Sequence, residues 1–318
     1  MKKRFGIIHT LFTCLLTAGG MYAFNKFYSM YAVRNRKLPS RPENYFSWRG
    51  LKIFYSMKGS GTPVVLLHAI HPASSSYEWN EIEDKLAQNH TVYTLDLPGC
   101  GRSEKPRLHY TNFFYVSLLR DFLHTMSIKN SILVASNLTS AVGVMAEAYD
   151  PGLFSKMILI NPPAASSLSE VPDQFSKALM FILNLPLLGS FIYNILSSKP
   201  QIDLAFTEKY FYNPFHDNEE LVDIYFESAQ SGYGNGHYLY GSIVGKYLNI
   251  NVNYAVKNLS LPVKILEGES TENAEQAILE WTSLNKSIEA VTITHTRQLP
   301  HLEEPERVLE EINSFIEK

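Results

Sequence analysis

The chain has 318 residues, 45% hydrophobic and 19% charged, enough for one large α/β domain with an insertion or for two small domains. A formal net charge of -3 gives no electrostatic footprint for nucleic acid, so no nucleic-acid partner is expected. Two cysteines, Cys14 and Cys100, build no disulfide framework, and the ten histidines show no ligand spacing, so no metal or other cofactor is expected.

Lys2-Lys3-Arg4 precede a run from Phe5 to Phe24 without a charged residue. Roughly 20 apolar residues are enough to cross a bilayer as a helix. A cleaved signal peptide has the same basic start with a shorter apolar core, and Ala18-Gly19-Gly20 offers a small-residue cleavage site. The length of the run and its aromatic end (Tyr22, Phe24, Phe27, Tyr28, Tyr31) favour a retained single-pass membrane anchor over residues 1–27. Basic residues stand on both sides of it, so the positive-inside rule leaves the orientation open. Residues 28–44, polar from Arg34 and holding Pro39 and Pro42, read as a short linker.

Tyr45 to Lys58 alternates and turns at Arg49-Gly50, as a β-hairpin does. Pro63 to His68 is a short continuous apolar run, which suits a strand buried on both faces of a parallel sheet. An amphipathic helix from Tyr77 to Gln88 and a strand from Thr91 to Leu97 follow, and this β-α-β alternation predicts a doubly wound sheet. The segment Asp96-Leu97-Pro98-Gly99-Cys100-Gly101-Arg102-Ser103 then supplies two glycines at the carboxyl end of a strand, where open α/β sheets place their sites.

His68 after a buried strand, Trp79 eleven residues on, and D-L-P-G-x-G-R-S together resemble the α/β-hydrolase superfamily, with Tyr110 and a helix from Phe113 to Met126 continuing the match. The resemblance covers roughly Tyr45 to Lys318. It implies an α/β-hydrolase core in two parts, 45–162 and 261–318, with a helical cap inserted at 163–260. One departure is Ala69, where the family has glycine. By analogy the backbone N–H groups of Ile70 and Leu138 are the oxyanion donors, and backbone donors survive substitution.

The strand Ser131 to Ser136 turns abruptly into a helix-compatible run from Val142 to Tyr149. The resemblance makes this the nucleophile elbow, normally G-x-S-x-G, and here it reads Ala135-Ser136-Asn137-Leu138-Thr139. Ser136 and Ser140 flank the apex, but the landmarks Asp150-Pro151 and Asn161-Pro162 return the register to Asn137. Asparagine tolerates the positive φ of an elbow apex while offering no nucleophilic oxygen. Thr139 is a second departure, a β-branched residue where the family keeps a small one.

From Pro163 to Ser260 the strand-helix alternation stops. Phe175 to Ser197 is apolar with helical spacing, interrupted at Pro186, and aromatic residues recur at Tyr210 to Tyr212 and Gly232 to Gly241. These read both as cap packing and as the lining of a site for a small apolar ligand. The sheet resumes at Pro262 to Leu266, and Thr271 stands where the family's G-x-x-D pattern has its acid, with Glu269 and Glu272 nearby. After a strand from Ala290 to Thr294, the family's G-H-x-x-H-L-E-x-P-E pattern is met by Gln298 at the general base and by His301 at the second histidine.

All three triad positions are therefore changed, to Asn137, Thr271 and Gln298, and a triad works as a unit. The leading expectation is a membrane-anchored member of this fold without hydrolase chemistry, binding a small apolar ligand or a partner. The alternative is a hydrolase of ester or lipid-like acyl substrates in which Ser136 or Ser140 attacks, His301 serves as base and Glu269 or Glu272 orients it. His295 has a weaker case as base.

Overall fold

The computed structural model describes residues 2–38, 44–215 and 219–318; the side chains of residues 2–8, 10 and 11 also lie outside the description. A long helix, α1 (Lys2–Ala32), precedes the hairpin β1 (Tyr45–Trp48) and β2 (Leu51–Lys58), which turns through Arg49 and Gly50 at positive φ. Then come β3 (Thr62–Leu67), a 3-10 turn (Ser76–Trp79), α2 (Asn80–Leu86) and β4 (His90–Leu95). The helix expected over Tyr77 to Gln88 starts as this tighter turn because Ser75 Oγ accepts from Tyr77 N–H, so Glu78 and Trp79 point into the protein. Next are α3 (Asn112–Thr125), β5 (Ser131–Ser136), α4 (Thr139–Tyr149) and β6 (Phe154–Ile160).

Between β6 and the next strand the chain folds into helices alone: α5 (Ala165–Leu168), α6 (Gln174–Leu183), α7 (Leu188–Leu196), α8 (Lys199–Ala205), a π-turn (Phe206–Tyr210), α9 (Glu219–Gln230), α10 (Gly236–Val244) and α11 (Asn253–Lys257). The core then resumes with β7 (Val263–Gly268), α12 (Ala274–Leu284), β8 (Glu289–Ile293), α13 (Pro300–Glu303) and α14 (Pro305–Glu317). The apolar stretch Phe175 to Ser197 is α6 and α7, bent by 99° at Pro186. That corner needs Gly189, where a Cβ would stand 1.9 Å from the Leu183 carbonyl oxygen.

Eight strands form one sheet in the order β1-β2-β4-β3-β5-β6-β7-β8, parallel from β4 through β8 and antiparallel at the hairpin end. Successive residues of a strand face opposite ways, so each buried strand feeds two cores. Val64, Leu66, Ile132 and Val134 pack with Ile82, Val308 and Ile312 on one face. Val65, Leu67, Leu133 and Ala135 pack with Phe122, Val144 and Trp281 on the other.

One charged pair fixes the β4 exit. Asp96 is fully buried, and Arg102 returns to it through Nε at 2.6 Å while its guanidinium lies 3.6 Å from the Phe54 ring centre. Ser76 N–H and Arg102 N–H also donate to that carboxylate, both at 2.7 Å. Desolvation opposes its charge, but Arg102 holds its carboxyl far below the usual range.

Among the described residues no single helix is long and apolar enough to cross a membrane. The C-terminal turns of α1 lie on the inserted helices: Phe24 meets Phe191 at 5.3 Å between ring centres, and Tyr28 meets Phe226 at 5.6 Å. Asn25 Nδ2 donates to the Leu187 carbonyl at 3.0 Å. Helix therefore continues to Ala32, through the first residues of the stretch expected to be a linker, and Lys37 and Leu38 are tied by their N–H groups to the Glu227 carboxylate. The rest of that stretch, 39–43 with Pro39 and Pro42, lies outside the described residues.

Arg102→Met leaves Asp96 buried without its cation, which costs about 3–5 kcal/mol for a broken buried pair. Chemical denaturation should show a midpoint loss of that size with an unchanged slope.

Candidate functional site

The corner between β5 and α4 places Asn137 at φ 56°. Its N–H donates to the Ile160 carbonyl at 2.8 Å and its carbonyl accepts from Ser140 N–H at 3.0 Å, so the left-handed residue is held from both sides. The side chain turns back on the corner, where Oδ1 accepts from Leu138 N–H at 2.8 Å. This changes the expectation for the oxyanion donors: Leu138 N–H is taken by the residue standing in the nucleophile's place. Ile70 N–H keeps no acceptor among the described residues. Thr139 does fit its close-packed position, because its hydroxyl donates to the Ser136 carbonyl at 2.7 Å and lies 3.2 Å from that of Leu67.

Asn161, also left-handed at φ 46°, joins the other two loops. Its Nδ2 donates to the carbonyls of Arg297 and Gln298, each at 2.9 Å, and its Oδ1 accepts from Gly268 N–H at 2.7 Å. Thr271 Oγ1 donates to the Arg297 carbonyl at 2.9 Å, a neutral brace on the loop that carries Gln298. Gly268 permits this contact, since a Cβ there would stand 2.0 Å from the Arg297 carbonyl oxygen. Gln298 N–H donates in turn to the Tyr210 carbonyl at 3.1 Å, which closes the insertion over the loop.

Asn137 and Gln298 line one cavity of about 210 Å³, and Thr271 braces it from behind. The side chains of the alternative triad are not brought together. Ser136 lines the cavity with its buried Oγ unpartnered, but Ser140 Oγ is directed to the Ala135 carbonyl at 3.3 Å. His301 is fully buried and stacks on Trp79 with ring centres 4.5 Å apart, and neither ring nitrogen has a hydrogen-bond partner. Desolvation pushes its pKa down to about 3, so it is neutral at working pH. Glu269 is exposed and accepts from His295 N–H at 2.9 Å, and Glu272 is exposed on the surface.

The residue that sequence reasoning missed is Glu78. It is 1% exposed and lines the same cavity. Its Oε2 accepts from Ala69 N–H at 3.1 Å and its Oε1 from Tyr225 O–H at 3.1 Å. Even with these donors, burial raises its pKa from the ordinary 4.5 to about 7. His301 Nε2 lies 3.9 Å away, and because the imidazole is neutral this is a contact and not an ion pair. In the sequence Glu78 fell inside the helix expected over Tyr77 to Gln88 and was given no role. The one available signal was the run Ser74-Ser75-Ser76 ahead of it, a source of local capping bonds that disturb helical phase.

The raised acid makes folding pH-dependent. The folded chain keeps a proton on Glu78 that the unfolded chain releases between pH 4.5 and about 7, so this group's contribution falls as pH rises through that window. Glu267, pushed up to about 8 by burial, acts in the same sense. Comparing Glu78→Gln with the parent isolates one group. The variant should gain on the order of 3 kcal/mol at pH 8 relative to its effect at pH 4.5 in urea titrations.

Known proteins agree with the topology. Residues 62–216 match the α/β hydrolase fold family. An uncharacterized protein of Mycobacterium tuberculosis is 33% identical over 112 residues, covering 35% of this chain and 32% of the relative. A 2-hydroxy-6-oxo-6-(2'-aminophenyl)hexa-2,4-dienoic acid hydrolase of Metapseudomonas resinovorans is 26% identical over 121 residues, 37% of this chain and 42% of that enzyme. The chain thus spans a third to less than half of these relatives' length. Among solved structures, an α/β hydrolase fold protein from Burkholderia ambifaria superposes with a TM-score of 0.67 at 20% identity, over 86% of this chain and 97% of that one. A bacterial membrane phospholipase A superposes with a TM-score of 0.69 at 18% identity, over 100% of this chain and 98% of that one. With the strand order, the cap between β6 and β7 and the left-handed corner at Asn137, these matches show that the chain has the α/β-hydrolase fold, with the family's match over residues 62–216.

Proposed function

We propose that this chain is a membrane-anchored α/β-hydrolase-fold protein whose cavity binds a small ligand without hydrolysing it. The observation that carries this reading is the apex itself. Asn137 occupies the corner where a nucleophile would stand and consumes the Leu138 N–H that would stabilise an oxyanion. Around it Gln298 cannot take a serine proton at neutral pH, and Thr271 has no charge with which to steady a cationic base. Neither Ser136 nor Ser140 hydrogen-bonds a histidine, which weighs against an alternative hydrolase. The cavity is closed by cap and core side chains, Tyr210, Tyr225, Ile243 and Leu299 among them, which suits binding.

Anchoring is supported by the uncharged run Phe5 to Phe24 and by what surrounds its end. Phe12, Leu15, Leu16, Phe27 and Met30 on α1 are exposed, and so are Phe175, Phe181, Ile195 and Leu196 on α6 and α7. So much apolar surface beside a docked apolar helix favours lipid contact. The superposition on the membrane phospholipase A runs through α1 as well.

A fluorophosphonate probe should leave the protein unlabelled. Asn137→Ser frees the Leu138 N–H but supplies no base, so its esterase rate should stay within about 10³-fold of the uncatalysed reaction, the residue left to an oxyanion hole alone. Asn137→Ser, Thr271→Asp and Gln298→His together should raise turnover above that of the single variant. Labelling of the parent chain, abolished by Ser136→Ala, would make it an enzyme.

For the anchor, the protein should sediment with membranes and resist carbonate. Deleting residues 2–20 should abolish that resistance while sparing the α1 contacts of Phe24 and Tyr28. Intact mass of the membrane-borne protein tests retention, and loss of the first twenty or so residues would establish a cleaved signal peptide.

A further inference from the structure

Glu78 is an acid enclosed in a cavity without a cation. The described lining residues include no lysine or arginine, and Glu78 alone among them ionises near neutral pH. Behind it lies a further buried cation, Lys105, whose Nζ donates to the Gly99 carbonyl at 3.0 Å and interacts with Asp96 and Cys100, while desolvation lowers its pKa to about 8. Asp96 is paired with Arg102, the Cys100 thiol is pushed up by burial to about 12, and desolvation keeps His71 and His301 neutral. A buried carboxylate in this position either keeps a proton or gains a cation.

The other walls favour an organic cation. Tyr210 and Tyr225 line the same cavity, and tyrosine rings attract ammonium groups through their electron-rich faces. Tyr225 O–H and Ala69 N–H occupy one site on each carboxylate oxygen and the Ser74 hydroxyl is a further partner, which fixes the group in place and leaves a lone pair for a ligand. The same cavity also offers groups for a polar tail: Ile70 N–H without an acceptor among the described residues, the Ser136 hydroxyl without a partner, and the Asn137 amide whose Oδ1 is already used. A volume of about 210 Å³ admits a small molecule and not a long acyl chain folded on itself.

We propose that this cavity is a binding site for a small alkylammonium compound, with the Glu78 carboxylate as its counter-ion and Tyr210 and Tyr225 as aromatic walls. The proposal rests on the reading of the cavity as a binding site and adds the ligand's charge to it. A carboxylate ligand is excluded by the same acid, so free fatty acids are poor occupants.

The test compares three probes of one shape on the full chain in a neutral maltoside detergent. Choline carries the cation, 3,3-dimethylbutan-1-ol replaces its nitrogen with carbon, and 3,3-dimethylbutanoate carries a negative charge. Calorimetry at pH 8 should give choline at least tenfold tighter binding than the alcohol, and no measurable binding of the acid. Choline affinity should fall about tenfold per pH unit below about 7, as Glu78 takes up its proton, while that of the alcohol stays level. Glu78→Gln should reduce the choline preference to within about threefold of unity.

Equal affinity of the parent chain for choline and the alcohol, tighter binding of the acid, no binding of choline, or a preference that survives in Glu78→Gln would each overturn the proposal. The parent-chain comparison and its pH profile decide the matter even if the variant does not fold. Binding of the alcohol without preference for the cation would sink the ammonium assignment and leave the binding reading standing. Fluorophosphonate labelling would sink the binding reading itself.

Discussion

The corner between β5 and α4 can be made only by a residue that accepts positive φ, and much of the site depends on it. With that geometry, β5 delivers its carboxyl end to the middle of the sheet and α4 leaves directly over the neighbouring strands. Few side chains tolerate the conformation, and asparagine is among those that do. Here the side chain adds a bond of its own, from Leu138 N–H to Asn137 Oδ1. An active corner keeps that N–H unpaired for the transition state. Asn137 stabilises the same backbone by satisfying it, so on the proposed reading one residue both withholds a nucleophile and caps the oxyanion donor.

The neighbouring polar residues act in the same way. Thr139, Thr271 and Asn161 all donate to backbone carbonyls, and together they hold the ends of β3, β5, β6 and β7 and the loop before α13. Neutral hydrogen bonds thus brace the strand ends. The group of the cavity that ionises near neutral pH is Glu78.

Much of this was legible in the sequence because it rests on short-range rules. Continuous apolar runs located β3, β5 and β7, the two glycines of the β4 exit marked a tight turn, and Pro186 marked the break between α6 and α7. Asn137 and Gln298 were found by register against landmarks, and they do line one cavity. The misses are long-range. Glu78 reads as a helix-surface acid until Ser75 tightens the turn and α9, more than a hundred residues later, brings Tyr225 to it. His301 read as a possible base, yet only tertiary packing could reveal that Trp79 covers it. No periodicity encodes either contact.

Helix α9 explains why α1 and the cavity form one structure. Three consecutive residues divide the work: Tyr225 binds Glu78, Phe226 packs on Tyr28 of α1, and Glu227 receives the N–H groups of Lys37 and Leu38. Ser228 then donates to the carbonyls of Pro72 and Ser74, on the loop that leads to Glu78. Neighbouring helix positions point in different directions, so a single turn faces α1 on one side and the acid on the other. Well-packed interiors transmit displacement and do not absorb it. The segment that emerges from the apolar N-terminal run therefore bears on the helix that positions the buried carboxylate, and whatever holds α1 also constrains the shape of the cavity.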